Sequence, residues 1–93
     1  YFNSYARRSN NTTIYVENIP NDCNDDELAE YFGNCGIITS VNIHYNRYSE
    51  KSMGRANITF REPADAANAL QLDGNQMRGR IIRVDYTTQQ PRL

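Results

Sequence analysis

Four strand-like segments and two helical segments follow one another along this chain in the order β-α-β-β-α-β. The third strand segment, Met53–Phe60, shows the pattern most plainly. Ala56, Ile58 and Phe60 share one of its faces and polar side chains share the other, because side chains alternate across a strand. Two strand–helix–strand halves of similar length predict an α+β fold, in which a four-stranded antiparallel sheet carries both helices on one face. The opposite face of such a sheet is left open.

The other strands are predicted where β-branched and aromatic residues alternate with polar ones. They lie at Thr12–Asn18, Ile37–Tyr45 and Ile81–Tyr86. In the second strand of the chain we expect Val41 and Ile43 to point inward. In the last strand we expect the same of Ile82 and Val84, and the preceding Gln76–Arg80 is predicted to be a turn.

The two helices carry recognisable start signals. Asn24 is a favoured N-cap residue, and Glu27 three positions later completes the pattern of a capping box. The first helix then presents an apolar stripe formed by Leu28, Tyr31 and Phe32. The second helix is predicted to begin at Pro63, a residue tolerated in the first turn, and to end at Asp73.

A length of 93 residues fits one domain. We expect a ferredoxin-like sandwich at residues 12–87, between a flexible arm at 1–11 and a polar tail at 88–93. The first residue is Tyr rather than Met, so the chain is expected to be a segment of a longer protein. No apolar run is long enough to cross a bilayer, and no membrane partner is predicted.

Residues that carry metal or catalytic chemistry are sparse. The chain has two cysteines and one histidine, without CxxC spacing and short of the four ligands that a zinc site usually needs. We expect two reduced thiols in an intracellular domain, although the even number also permits a disulfide. No nucleophile–base arrangement, glycine-rich phosphate loop or pair of carboxylates at a predicted cleft is recognisable. Neither a metal, a cofactor nor an enzymatic activity is therefore predicted.

The net charge of −1 conceals an uneven distribution. Acidic residues cluster in and before the first helix, whereas arginine and lysine dominate the second half of the chain. A neutral sum can hide a basic face opposite an acidic one, so a nucleic acid stays a candidate partner. The acidic helix is a second candidate surface, for a protein partner. Its carboxylates are Asp25, Asp26, Glu27 and Glu30.

Two segments resemble the signature motifs of the RNA recognition motif family, and the resemblance extends over residues 12–87. Ile14–Ile19, IYVENI, is similar to the family hexamer, and Met53–Phe60, MGRANITF, is similar to the octamer K/R-G-F/Y-G/A-F-V-x-F/Y. The positions that agree with the octamer are Gly54, Ala56, Ile58 and Phe60. Those that depart from it are Met53, Arg55 and Asn57. The departures include the two stacking aromatics, so they affect the open face and spare the core.

Within the family, the segment from Val41 to Phe60 is similar to the Aly/REF mRNA-export adaptors. In those proteins the domain binds RNA weakly and is helped by flanking basic arms and protein partners. This resemblance implies a module of an mRNA-processing or mRNA-export factor, located in the nucleus and shuttling to the cytoplasm.

The family resemblance implies that single-stranded RNA binds across the open sheet face. The candidate contact residues are the outward residues of the strands and two cations of the loop between the second and third strands: Tyr15, Glu17, Asn42, His44, Arg47, Lys51, Arg55, Asn57, Arg83 and Asp85. With one stacking aromatic in place of three, the expected affinity is about micromolar or weaker and sensitive to salt.

The roles within this set differ, and for some residues two interpretations stay open. Tyr15 occupies the stacking position of the hexamer. Arg55 carries a planar guanidinium that can stack on a base, or it can pair across strands with Asp85 or Glu17. Asn57 can read a base edge through its amide or be a plain polar surface residue. The alternative function is a protein-interaction domain of an RNA-processing complex.

Overall fold

The computed structural model of the protein describes residues 11–49 and 52–87. Residues 1–10 of the predicted arm at 1–11, Lys51 and the tail at 88–93 lie outside the described residues. The proposed domain limits therefore stay predictions.

Strands and helices follow one another in the predicted order, with an added hairpin. The strands are β1 (Thr13–Glu17), β2 (Ile38–Tyr45), β3 (Ser52–Phe60), β4 (Gln76–Met77), β5 (Arg80–Ile81) and β6 (Arg83–Tyr86). The helices are α1 (Asp25–Phe32) and α2 (Pro63–Ala69), and a 3₁₀ turn at Leu70–Leu72 follows α2.

The main sheet has four antiparallel strands in the order β2-β3-β1-β6. Leu28 and Phe32 of α1 and Ala66 and Ala69 of α2 belong to the same buried cluster as the inward side chains of the sheet. Both helices therefore pack on one face and leave the other open, which confirms the predicted α+β, ferredoxin-like architecture. The segment predicted to be a turn, Gln76–Arg80, instead contributes to the short β4–β5 hairpin.

The inward faces of the strands follow the predicted alternation with two corrections. Ile43 is buried as expected, but Val41 is only half-buried. Ile82 is fully buried but lies outside β6. Its amide donates to the carbonyl of Asn75 and its own carbonyl accepts from the amide of Gly74, both at 2.9 Å. These bonds hold Ile82 against the preceding loop, so β6 begins at Arg83, two residues after the predicted start at Ile81.

The helix α1 begins as the sequence predicts. The Asn24 side-chain oxygen accepts a hydrogen bond from the Glu27 amide at 2.9 Å, which is the N-cap interaction. Of the predicted stripe, Leu28 and Phe32 are fully buried. Tyr31 is half-buried and meets the Phe32 ring edge-on, with the ring centroids 5.0 Å apart.

Asn24→Ala is expected to lower the free energy of unfolding by about 1 kcal/mol, because the Glu27 amide loses its capping partner. Urea denaturation followed by circular dichroism measures this loss. Asn34→Ala is the matched control, since Asn34 is exposed and its side chain makes no hydrogen bond to the described residues. Equal stability of the two variants would contradict the capping role.

The second half of the predicted capping box is absent because Glu27 has another partner. Its two carboxylate oxygens accept hydrogen bonds from Arg78 Nε and Nη2, at 2.8 and 2.9 Å. Arg78 also lies 3.0 Å from a carboxylate oxygen of Asp22. The hydrogen bond from Arg78 lowers the pKa of Asp22. We call this group of Asp22, Glu27 and Arg78 the ion clamp, and it ties the turn between β4 and β5 to the start of α1.

The two cysteines are free thiols with different environments. Cys23 is buried, whereas Cys35 is half-buried. Burial raises the pKa of the Cys23 thiol to about 11, with a further contribution from the nearby Glu27 carboxylate. Cys23 is therefore a protonated core side chain at neutral pH.

Candidate functional site

The outward residues of the main sheet form two rows that run across its strands. In the first row Asn42 pairs with Asn57, Asn57 with Tyr15, and Tyr15 with Asp85. In the second row Glu17 lies between its register partners on the neighbouring strands. These partners are Arg55 and Arg83. His44 follows Ile43 on β2, beside the second row.

Eight of the ten predicted contact residues thus lie on one surface, which we call the open face. Its members are Tyr15, Glu17, Asn42, His44, Arg55, Asn57, Arg83 and Asp85. Four of them are half-buried and form its centre: Tyr15, His44, Arg55 and Asn57. The other four are exposed and form its rim. Alternation along the strands brings these residues together, but whether they contact RNA stays a prediction.

The rings of Tyr15 and His44 approach each other across β3. Their centroids are 6.2 Å apart and their planes are tilted by 39°. Tyr15 belongs to β1 and His44 to β2, and β3 lies between those strands. Neighbouring strands are about 4.8 Å apart, so the two backbones are roughly twice that distance apart. The rings therefore lean toward each other over the middle strand.

Arg55 does not form either of the cross-strand ion pairs considered from the sequence. Within residues 11–49 and 52–87 it makes no salt bridge to Glu17 or Asp85, and its Nη2 lies 3.7 Å from the sulfur of Met53. Its Nε and the Oδ1 of Asn57 are buried, and neither has a hydrogen-bond partner among the described residues. An unsatisfied buried polar atom costs about 1–3 kcal/mol. Such atoms are rare in native proteins, so each needs a partner such as an ordered water or a bound ligand.

Arg83 and Asp85 are engaged at the edge of the sheet. Arg83 Nε donates to Asp73 Oδ1 at 3.0 Å, and the same oxygen accepts from the Val84 amide at 2.8 Å. Asp85 accepts from the amide of Tyr86 at 2.8 Å. These partners orient the side chains of both residues of β6.

The bond to Asp73 predicts a pH dependence of stability. The Val84 amide, followed by Arg83, lowers the pKa of Asp73 below its ordinary value of 3.8. A lowered pKa stabilises the fold above the unfolded-state value and ceases to do so as the pH falls through the folded-state value. We expect Asp73→Asn to lose less than about 1 kcal/mol at pH 7, because the pair is solvent-screened.

Urea denaturation between pH 7 and pH 2 checks this. The wild type should lose stability below about pH 4, and Asp73→Asn should lose less over the same interval. Glu62→Gln is the control, since the Glu62 side chain is exposed and makes no hydrogen bond to the described residues. Parallel pH profiles for the wild type and Asp73→Asn would show that Asp73 has no such role.

The loop between β2 and β3 holds Arg47 in an exposed turn. Asn46 Oδ1 accepts from the amides of Tyr48 and Ser49, at 2.8 and 3.0 Å, and this fixes the turn. Tyr48 is 90% exposed, and Met53 is also largely exposed at the start of β3. Neither of these two residues was predicted as a contact. The sequence feature that could have drawn attention to Tyr48 is an aromatic residue placed among polar loop residues.

Several charged side chains outside the open face are engaged within the fold. Arg78 is held in the ion clamp, and Arg80 donates to the backbone carbonyl and the side-chain oxygen of Asn18. On the acidic helix Glu27 is engaged by Arg78, whereas Asp25, Asp26 and Glu30 are exposed. A protein partner for this helix stays a prediction.

Within residues 11–49 and 52–87, no group of three or more His, Cys, Asp or Glu side chains is placed to hold a metal ion. No helix in these ranges has the length and apolar character needed to span a membrane.

Comparison with known proteins gives consistent matches. A sequence model of the RNA recognition motif matches residues 14–83. The mitochondrial glycine-rich RNA-binding protein 5 of Arabidopsis thaliana is 35% identical over 83 residues, which are 89% of this chain and 29% of that protein. The chloroplastic 28 kDa ribonucleoprotein of Nicotiana sylvestris is 36% identical over 80 residues, 85% of this chain and 29% of that protein. The chain therefore spans less than a third of either relative.

Solved structures agree on the fold. The RNA15 RRM superposes with a TM-score of 0.81 at 23% identity, covering 87% of this chain and 94% of that one. A Sex-lethal protein in complex with RNA superposes with a TM-score of 0.78 at 29% identity, covering 83% of this chain and 47% of that one.

The resemblance to Aly/REF export adaptors is not supported, since the relatives found are glycine-rich and chloroplast RNA-binding proteins. That resemblance covered little more than two strands, and the alternation in them is general to the fold. The family match, in contrast, extends from β1 to β6 over most of the chain. The chain belongs to the RNA recognition motif family.

Proposed function

We propose that this domain binds single-stranded RNA across its open face. The observation that carries the proposal is the half-buried ring of Tyr15 at the centre of that face, with polar neighbours on both sides. Stacking of a base on an aromatic side chain contributes about 1–3 kcal/mol per base. A base must be unpaired to present its face in this way, which favours single-stranded over duplex RNA.

The comparisons support this proposal through the relatives' own functions. The names of the two sequence relatives describe an RNA-binding protein and a ribonucleoprotein. The Sex-lethal structure contains RNA, and that protein shares 29% of its residues with this chain over the matched region. Binding without catalysis is the activity that we propose for this chain.

The number of arginines available for phosphate contacts points to weak binding. Among the described arginines, Arg78 and Arg83 are paired with carboxylates, and Arg80 makes no salt bridge but donates to Asn18. Arg47, Arg55 and Arg61 make no salt bridge to the described residues. Each phosphate contact contributes about −0.7 to the slope of log K against log salt for single strands. Three contacts therefore correspond to a slope of about −2. The proposed affinity of the isolated domain is about micromolar or weaker.

Titration of the ¹⁵N-labelled domain with a mixed pool of single-stranded octanucleotides tests the proposal. Amide shifts should cluster at Tyr15, His44, Arg55 and Asn57, and an RNA duplex of the same composition should give much smaller shifts. No shift on the open face at a large RNA excess would refute the proposal. Shifts confined to Asp25–Phe32 on addition of a protein partner would instead support the interaction-domain alternative.

A role in mRNA processing or export, inside the nucleus with shuttling to the cytoplasm, is the finer proposal. It rests on membership of the family alone. The names of the two relatives place them in mitochondria and chloroplasts. Imaging the tagged full-length protein in its own cells tests the location, and an exclusively organellar signal would overturn the nuclear assignment.

A further inference from the structure

The two edges of the main sheet, β2 and β6, differ in how they are protected. Among the described strands only β3 pairs with β2, so the outer row of β2 backbone amides and carbonyls faces no described strand. Such a row is a template for pairing with another chain, and natural proteins usually interrupt it with charged residues or proline. The four residues of β6 include Arg83 and Asp85, whereas the eight residues of β2 include no Lys, Arg, Asp, Glu or Pro.

The middle of β2 is also regular. Its register with β3 shifts between Ile38 and Ser40 and again between Ile43 and Tyr45, and it runs without a shift from Ser40 to Ile43. Such irregularities bend an edge away from a partner strand. Pairing with another chain is therefore expected in the middle of β2.

The apolar side chains at the two ends of β2 match one another in an antiparallel pair. Residues directly opposite in such a pair either both bond across the seam or both point away from it, and neighbouring residues alternate between the two. A twofold pair of β2 strands therefore places one residue opposite its own copy. Ile37 and Tyr45 are each four residues from Val41, so a pair centred on Val41 brings each Ile37 near the Tyr45 of the other copy. Both side chains are exposed in the single chain, at 58% and 53%.

The charges at the two ends of β2 are complementary in the same arrangement. The carboxyl group of Asp65 occupies the space in which a side chain at Gly36 would lie, just before the strand. Arg61 and Glu62, which follow β3 at this end, offset each other in charge. Arg47 is exposed two residues after β2 ends. Neither Asp65 nor Arg47 makes a salt bridge to the described residues, and antiparallel pairing brings Arg47 of each copy toward Asp65 of the other.

We propose that two copies of this chain pair antiparallel through β2 and form a closed dimer with a continuous eight-stranded sheet. The twofold axis is perpendicular to the sheet, so both open faces lie on the same side and stay uncovered. The outer edges of the dimer are the two β6 strands, whose charges oppose the addition of further copies. One strand pair buries less than a standard interface, so the expected dissociation constant is about 10 µM to 1 mM.

Sedimentation velocity of the 93-residue chain at concentrations of about 10 µM to 1 mM tests the dimer. The average mass should rise with concentration toward twice the 10.7 kDa of one chain and stop there. The mass of one chain at every concentration, or growth beyond the dimer, would overturn the proposal.

The apolar contact is tested with two exposed isoleucines. Ile37→Asn should weaken the association about tenfold, because each copy loses its contact with Tyr45. Ile81→Asn is the matched control, since Ile81 is 52% exposed and lies on β5, outside the main sheet. It should change the association less than about twofold. Equal effects of the two substitutions would show that β2 is not the seam.

The charges are tested by exchange. Arg47→Glu and Asp65→Lys should each weaken the association about two- to fivefold, because each places like charges at both ends of the seam. The double variant should recover the association of the wild type, with far-UV circular dichroism confirming the fold of all three variants. A double variant no tighter than the single ones would rule out the antiparallel arrangement.

Direct contacts identify what covers β2. In a mixture of ¹³C-labelled and unlabelled chains, isotope-filtered nuclear Overhauser effects should connect Ile37 of one copy with Tyr45 of the other. Effects within one chain between residues 1–10 and β2 would mean that the arm covers this edge, and the dimer would be wrong.

The dimer does not depend on RNA binding, and the two proposals fail separately. A chain that stays monomeric while its open face shifts with RNA would overturn the dimer alone. A dimer whose open face does not respond to RNA would overturn the proposed function alone.

Discussion

Tyr15→Ala is expected to weaken the binding of single-stranded RNA by about 5- to 150-fold. The range corresponds to the loss of one base–aromatic stack of about 1–3 kcal/mol. Tyr15 is the aromatic residue at the centre of the open face, and its neighbours in the first row are Asn57 and Asp85. Neither Asn57 nor Asp85 has an aromatic ring on which a base could stack instead. Fluorescence anisotropy of a labelled octanucleotide at low salt measures the change.

Tyr15→Phe is the matched control, because it keeps the ring and removes only the hydroxyl. Its affinity should stay within about threefold of the wild type. The inward neighbours Ile14 and Val16 are untouched in both variants, so far-UV circular dichroism should show the same fold. A folded Tyr15→Ala that binds as tightly as the wild type would remove the main support for RNA binding on this face.

Phe60→Ala is expected to lower the free energy of unfolding by about 3–5 kcal/mol. Phe60 is 1% exposed and lies at the end of β3, in the cluster that joins the sheet to both helices. Truncating it leaves a cavity that the surrounding side chains fill only in part. A domain of this size is stable by about 5–15 kcal/mol, so the variant should unfold at a much lower urea concentration.

Thr59→Ala is the control for Phe60, since Thr59 is the adjacent residue on the opposite face of the same strand. Its hydroxyl lies 3.1 Å from that of Thr13, and the loss should be about 1 kcal/mol or less. Urea unfolding of both variants under one condition gives the comparison. A loss below about 1 kcal/mol for Phe60→Ala would mean that this end of the core is loosely packed.

The features predicted from the sequence depend on local periodicity. Alternation in β1 and β3 assigned Tyr15, Arg55 and Asn57 to the face opposite the core, and the structure confirms that placement. The capping signal at Asn24 was equally local, and its hydrogen bond to the Glu27 amide is present. Such patterns operate over two to four residues, so one sequence suffices to identify them.

The features that could not be predicted depend on which distant residues meet. Arg78, 51 positions along the chain, donates hydrogen bonds to the Glu27 carboxylate. That carboxylate is then not available to accept from the Asn24 amide, which is the second bond of a capping box. Arg83 turns to Asp73 because the loop before β6 brings that carboxylate beside it. The approach of Tyr15 and His44 requires the strand order, since β3 separates their strands. The alternation of side chains along a strand determines which face of the sheet a residue lies on. Its neighbours on that face depend on the strand register and the strand order.

The ion clamp has a kinetic consequence. It joins two segments separated by most of the domain, so it can form only after the chain between them has closed into a long loop. Contacts of that kind come together late, after the sheet has aligned its two halves. We therefore expect the clamp to contribute little to the speed of folding and to act mainly by slowing the first separation of the hairpin from α1. On this argument, we expect removal of its charges to change the unfolding rate more than the folding rate.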